Sequence, residues 1–323
     1  MRILQIGKYP EIDMLDVEIP EPGPGEARLH IQGVTTCPQW DLHARHDEPM
    51  FVGHKFVFPY MIGQPGHEAT GVVDAIGTGV TELKVGDRAS IWRDPGHDRP
   101  GCYAEYVVRP VDHIIRVPER LPVEATASVE LAMCIGATFI MLKAMNLLEG
   151  RRAGVTGLGP AGLVAMQMAR AEGAVEVVGF DPVEERRALA EASGFGEAFD
   201  PRGDLQGRFP ARPAWPALDY VIDCVGSRAS VEFSMDHACE TAALFGVQRE
   251  DYIYGIRHYG GLRLCGYPGH SREAAEYAVG LMDAGKLDLA PLVTHRLPLS
   301  RYQEGIDLLE SQQAVKVCFD PRE

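Results

Sequence analysis

The sequence predicts an α/β protein in two parts, an irregular β-barrel and a doubly wound parallel sheet. Three observations predict it. Residues 1 to about 125 hold many short, β-rich runs broken by glycine and proline turns, which suits an irregular barrel. From about 125 onward, strand-length apolar runs alternate with helical stretches, which suits a parallel sheet covered on both faces. The stretch Gly154-Val155-Thr156-Gly157-Leu158-Gly159-Pro160-Ala161-Gly162 places G-x-G-x-x-G, at Gly157, Gly159 and Gly162, between a short strand and a helix.

In the first part, the runs 27–31, 71–76, 85–89 and 103–108 have strand length and β-branched content. The turns at 20–25 and 77–79 punctuate them. A long apolar helix over 125–148 leads into the second part. There the glycine loop opens a helix at Leu163–Arg170, which Gly173 closes, and Val175–Phe180 follows as a strand ending in Asp181, nineteen residues after Gly162. Strands at 219–223, 242–247 and 262–265 continue the alternation, and 202–216 reads as a surface loop. The tail carries a helix over 272–284, an extended run 291–297, a helix over 301–310 and a last strand 315–319. It is expected to rejoin the barrel, giving a discontinuous domain of 1–125 plus 270–323 around a nucleotide-binding domain of 126–269.

The totals narrow the function. At 323 residues and 46% hydrophobic, the chain has room for two domains with real cores. A formal charge of −15 with no basic run argues against nucleic acid or an anionic membrane surface as partner. The seven cysteines are odd in number, scattered and without C-x-x-C; this fits free thiols in a reducing, cytoplasmic setting. The first residues lack a secretory apolar region, and the most apolar stretch, 131–142, is too short to span a bilayer.

The strand–turn–helix–strand–acid order is that of a dinucleotide-binding unit. Gly157 permits the tight turn, Gly159 lets a pyrophosphate approach the backbone, and Gly162 lets the helix pack on the sheet. The N–H groups of Leu158, Pro160's neighbour Ala161 and the rest of the helix start face the phosphates. Asp181 is suited to accept hydrogen bonds from the adenosine ribose and to repel a 2′-phosphate, which favours NAD over NADP.

A second constellation lies in the first part. Cys37 sits before Pro38-Gln39-Trp40-Asp41, His67 and Glu68 follow Gly66, and Glu130 opens the apolar helix. A thiolate, an imidazole and one carboxylate with one open position make a catalytic zinc site, where the metal acts as a Lewis acid on an alcohol or carbonyl oxygen. Taken singly, each residue has a plain structural reading: Cys37 as a small core residue, His67 as a loop residue, Glu130 as a charge at a helix start.

Taken together, the ordered landmarks Gly66-His67-Glu68, Val85-Gly86-Asp87-Arg88, Tyr103-Ala104-Glu105-Tyr106-Val107, Glu130-Leu131-Ala132 and the glycine loop resemble the medium-chain dehydrogenase/reductase superfamily, in its zinc-dependent alcohol and polyol dehydrogenase branch. The close, from Gly285-Lys286-Leu287-Asp288 to Pro291-Leu292-Val293-Thr294-His295-Arg296, is similar as well. The resemblance implies a GroES-like barrel, a Rossmann domain and an active site in the cleft between them. It implies Cys37 and His67 as zinc ligands, with Glu68 and Glu130 competing for the third place. It also implies Asp181 and Arg186 beside the adenosine ribose, and Val225, Val247, Cys265 and Tyr267 near the nicotinamide.

Two departures from the family pattern stand out. The family commonly places a Ser or Thr hydroxyl two residues after the cysteine; here Cys37-Pro38-Gln39-Trp40-Asp41 is one residue longer and lacks it, which leaves His43 or water to carry the proton. The segment between Asp87 and Cys102 contains no cysteine, so the lobe that often binds a structural zinc is absent and one zinc per chain is expected. Trp40, His46, Phe51, Trp92 and His97 are the residues considered for the substrate side, Trp40 foremost. The leading expectation is NAD-linked oxidation of a secondary alcohol or polyol, or reduction of the ketone. The alternatives are a zinc-free NADPH-dependent enone or quinone reductase on the same fold and, more distantly, a non-catalytic nucleotide-binding module. The segment Leu262–Cys265 resembles the edge strand through which such proteins pair, so a homodimer or homotetramer is expected.

Overall fold

The structure is a computed structural model and describes residues 1–94 and 96–323; Pro95, within the cysteine-free segment, lies outside the described residues. In chain order the elements are β1 (Arg2–Ile6), β2 (Ile12–Asp16), β3 (Glu26–Thr35), α1 (Pro38–His46), β4 (Glu68–Ile76), β5 (Arg88–Ile91), β6 (Tyr106–Pro110), β7 (Ile114–Arg116), α2 (Val123–Ala127) and α3 (Val129–Ala144). Then come β8 (Arg152–Thr156), α4 (Pro160–Ala171), β9 (Glu176–Phe180), α5 (Glu184–Ala192), β10 (Glu197–Phe199), β11 (Leu218–Asp223), α6 (Arg228–His237), β12 (Ala238–Leu244) and β13 (Arg263–Gly266). The tail holds α7 (Arg272–Asp283), β14 (Val293–Pro298), α8 (Tyr302–Glu310) and β15 (Lys316–Asp320).

The chain divides into two compact units. One comprises Met1–Met133, Ala275–Asp283 and Asp288–Glu323; the other comprises Cys134–Ala274 and Ala284–Leu287. In the first, a seven-stranded sheet runs β14-β15-β3-β4-β5-β7, with β6 also on β3. β3 organises it: its residues alternate between buried and half-buried, as a strand with one face on a core requires. Ile3, Leu29, Ile31, Val73, Tyr103 and Phe319 are among the buried side chains of that core. The tail closes the sheet, because β15 lies parallel to β14 and antiparallel to β3. Register then matters for chemistry. Thr35 at the end of β3 stands opposite Glu68 on β4 and Cys318 on β15, so the first residue of β15 is brought to the first residue of β4.

In the second unit six strands run parallel in the order β10-β9-β8-β11-β12-β13. The order reverses between β8 and β11. The carboxyl ends of strands at such a reversal bracket the crevice where parallel α/β sheets take their ligands. The long apolar helix expected over 125–148 is two helices: Ser128 interrupts it between α2 and α3, and its hydroxyl bonds that of Thr35 at 3.1 Å. Asn146, in the left-handed conformation with φ 56° just beyond α3, ends it before Leu148. Among the described residues no helix is long and apolar enough to cross a membrane.

Candidate active site

Cys37 is placed by the junction between β3 and α1. It is the N-cap residue, and Pro38 occupies the first helical position, where a missing N–H costs nothing. The backbone N–H of Cys37 donates to Asp41 Oδ2 at 2.8 Å. Asp41 is itself buried and accepts from the hydroxyls of Tyr103 and Tyr302, both at 2.8 Å. Burial pushes its pKa up to about 6 against the pull of those two hydroxyls. The aspartate is thus turned inward, onto the backbone of the residue that opens the helix.

His67 ends the loop before β4. Its Nδ1 lies 2.8 Å from the Pro65 carbonyl, so Nδ1–H donates there and Nε2 is the nitrogen that could hold a metal. Sγ of Cys37, a ring nitrogen of His67 and a carboxylate oxygen of Glu68 all lie within 4.8 Å of one another. Glu130, in the first turn of α3, approaches His67 Nε2 at 3.8 Å. Burial pushes His67 toward its neutral form, but the sulfur of Cys37 and the carboxylates of Glu130 and Glu68 outweigh burial and hold its pKa well above the ordinary value. A buried imidazole among acidic groups, with its tautomer fixed by a carbonyl, is a donor set that fits zinc.

Glu68 has a partner that the sequence reading did not assign. Lys316, fully buried at the start of β15, donates to both its oxygens at 2.7 and 2.6 Å, and Thr35 Oγ1 donates at 3.2 Å. Burial raises the pKa of Glu68, and Lys316 opposes that rise. The signal for Lys316 was present: a single lysine inside the strand-like run 315–319. What a sequence does not display is the register that carries it to Glu68.

The other residues considered take varied places. His43 bonds the Glu48 carbonyl at 3.1 Å, and no hydrogen bond or ion pair among the described residues joins it to Cys37, His67 or Glu68. His46 pairs with Glu310 at 2.7 Å on the surface. Phe51 is exposed and Trp92 buried against His113. Trp40, half-buried on α1, stacks on His97 with ring centroids 3.9 Å apart.

In the second unit the glycine loop has the backbone its motif demands. Gly157 has φ +80°, and a Cβ on it would lie 2.4 Å from Val225 Cγ2. A Cβ on Gly162 would lie 1.8 Å from the Gly157 carbonyl oxygen, whereas one on Gly159 would meet nothing within 4 Å. The face at Gly159 is thus open, with Leu158 before it and Pro160-Ala161 starting α4. Asp181 follows β9; its carboxylate accepts the N–H of Leu158 at 2.7 Å and that of Val183 at 2.8 Å, and Arg186 stands 3.6 Å away. Asp223, which the sequence reading left aside, accepts from Thr156, Ser230 and the N–H of Gly226. It ties the end of β8 to the turn carrying Val225. A Cβ on Gly226 would lie 2.2 Å from the Val247 carbonyl, so the turns bearing Val225 and Val247 pack together. Cys265 lies in β13 and Tyr267 just beyond it, against Phe245.

Comparison with known proteins agrees with this construction. Residues 23–119 match the alcohol dehydrogenase GroES-like domain and residues 160–274 match the zinc-binding dehydrogenase family. The chain is 29% identical to an L-threonine 3-dehydrogenase of Anaeromyxobacter sp. (strain Fw109-5), over 94% of each protein. It is 25% identical to the L-threonine 3-dehydrogenase of Pyrococcus horikoshii, over 95% of this chain and 94% of that one. Among solved structures it superposes on the 2R,3R-butanediol dehydrogenase of Bacillus subtilis with a TM-score of 0.83 at 21% identity, covering 99% of both chains. For the galactitol-1-phosphate dehydrogenase of Escherichia coli the TM-score is 0.81 at 23% identity, covering 99% of this chain and 100% of that one. The chain belongs to the zinc-dependent medium-chain dehydrogenase/reductase superfamily.

Proposed function

We propose that the protein is a zinc-dependent oxidoreductase that moves a hydride between NAD(H) and a secondary alcohol, a polyol or the corresponding ketone. The observation that carries this reading is the convergence of Cys37, His67 and Glu68 within 4.8 Å, with Glu130 against His67. Cys37 and His67 hold the metal. Glu68 takes the third place because its oxygen is close to both; the grip of Lys316 on both Glu68 oxygens favours Glu130 as the alternative. Zinc bound there would supply a Lewis acid for the substrate oxygen, and NAD(H) would supply the hydride exchange.

The chain's own residues then have defined tasks. The junction between β3 and α1 places the Cys37 sulfur beside His67 and Glu68. The Pro65 carbonyl holds His67 in the tautomer that offers Nε2. Gly157, Gly159 and Gly162, with Leu158, Pro160 and Ala161, cradle the pyrophosphate on the N-terminus of α4. Asp181 and Arg186 flank the adenosine ribose, and the negative charge of Asp181 favours NAD. The turns at Val225 and Val247, with Cys265 and Tyr267, line the nicotinamide. The released proton leaves by way of His43 or water. One zinc per chain, a small-molecule substrate, a homo-oligomer and a cytoplasmic setting complete the reading.

The test is direct. The purified protein should reduce NAD⁺ with secondary alcohols bearing a neighbouring hydroxyl or amino group, should do so more slowly with NADP⁺, and should lose the activity to a chelator and regain it with zinc. Activity that survives complete zinc removal would favour the zinc-free reductase.

A further inference from the structure

A cavity of about 360 Å³ opens in the first unit, and none of Cys37, His67, Glu68 and Glu130 lines it. Its walls come from β1, from the stretch just after β2, from β6 and from residues 99–101. Ile3, Val17, Ile62 and Val107 make the lining mainly apolar. A cavity of this size and character suits a small organic molecule.

One side chain in that lining is out of keeping with the rest. Arg109, on β6, is only 3% exposed. Alternation along the strand turns it to the same face as buried Val107. Its guanidinium donates to the carbonyls of Val108 and Pro100 at 2.9 and 2.8 Å and to Cys102 Sγ at 3.6 Å. All three acceptors are neutral, since burial raises the pKa of the Cys102 thiol. Nε has no partner, and no carboxylate among the described residues forms an ion pair with Arg109. Arg99, exposed at the rim of the same cavity, likewise has no acidic partner among the described residues. Two glutamates share the lining, but Glu26 accepts the N–H of Gly23 at 2.9 Å and Glu18 is exposed to water. A buried cation among neutral groups is unfavourable, and an anion placed beside it offsets part of that cost.

We propose that this cavity binds a small carboxylic acid. Its carboxylate is held by the charge of Arg109 and Arg99, and its aliphatic or aromatic body lies against Ile3, Val17, Ile62 and Val107. The occupant bears on the metal constellation without touching it. Ile62 and Gly101 line the cavity, and the N–H groups of Gly101, Cys102 and Tyr103 donate to the carbonyls of Ile62, Gly66 and Gly63 at 2.9, 2.7 and 3.0 Å. These bonds fasten the loop that ends in His67. A bound acid steadies that loop, which makes the cavity an effector site.

Hexanoate and hexanamide, alike in size and different in charge, test it by calorimetric titration of wild type, Cys37→Ala, Arg109→Gln and Val17→Trp. The wild type should bind hexanoate about tenfold more tightly than hexanamide, and Cys37→Ala should do the same. Arg109→Gln should abolish the difference, and Val17→Trp, which fills the cavity, should lose both ligands. Either of these two variants carries the test if the other does not fold. Hexanoate should also slow amide exchange across residues 101–103 of the wild type. Equal affinity for acid and amide, no saturation by hexanoate, or a discrimination that survives Arg109→Gln overturns the site. Binding that is lost in Cys37→Ala and kept in Val17→Trp overturns it too, because the acid then sits at the metal ligands. Tight binding with unchanged exchange at 101–103 overturns the coupling to the His67 loop.

Discussion

Lys316 and Glu68 show how much a single buried pair can decide. Both are essentially without solvent contact, so neither charge has water as an alternative partner. Removing one partner of such a pair strands the other. Lys316→Met is therefore expected to destabilise the protein by about 3–5 kcal/mol, measured by urea unfolding, and Lys316→Met with Glu68→Gln should recover much of that loss. A single variant within about 1 kcal/mol of wild type would show that the pair is not buried in solution. At the same scale, His97 titrates at about 4 in the folded chain against 6.5 ordinarily. The unfolded chain takes up this proton first as pH falls. Stability from this group is full above pH 6.5 and is lost as pH drops toward 4. His97→Gln should flatten the stability profile in that window, and a profile as steep as wild type would contradict the assignment.

Among the elements, the glycine loop was legible from the sequence because its demands are local: a left-handed φ at Gly157, an open face at Gly159 and a close approach at Gly162 each follow from short spacing. Gly162→Ala should therefore lower NADH affinity by at least tenfold, about 1.4 kcal/mol, seen by fluorescence titration, because its Cβ cannot coexist with the Gly157 carbonyl. The alternation of strands and helices in the second unit was legible for the same reason. What was not legible depended on partners far along the chain. The hairpin of β1 and β2, and helix α1 after Cys37, carry no strong periodic signal. The break at Ser128 reflects a bond to Thr35, ninety-three residues away. His67 and Glu130 could be named from motifs, but the Lys316 contact, the Asp41 cradle of Tyr103 and Tyr302, and the Asp223 network needed the register of the sheets.

The molecule as a whole joins two compact units with separable chemistry. The glycine loop, Asp181 and Asp223 lie in one, and Cys37, His67, Glu68 and Glu130 lie in the other. Loss of the metal set should thus leave nucleotide binding in place: NADH affinity of Cys37→Ala is expected within about twofold of wild type, as for independent sites. A collapse of NADH binding in that variant would mean that the two units do not act independently. The central claim is that Cys37 and His67 with a neighbouring carboxylate hold a single catalytic zinc. Zinc per chain by elemental analysis, on freshly purified wild type and Cys37→Ala prepared alike, tests it most directly. About one zinc is expected in the wild type, with a sharp fall in the variant. No zinc in undialysed wild type, or an undiminished zinc content without the Cys37 thiolate, would contradict it.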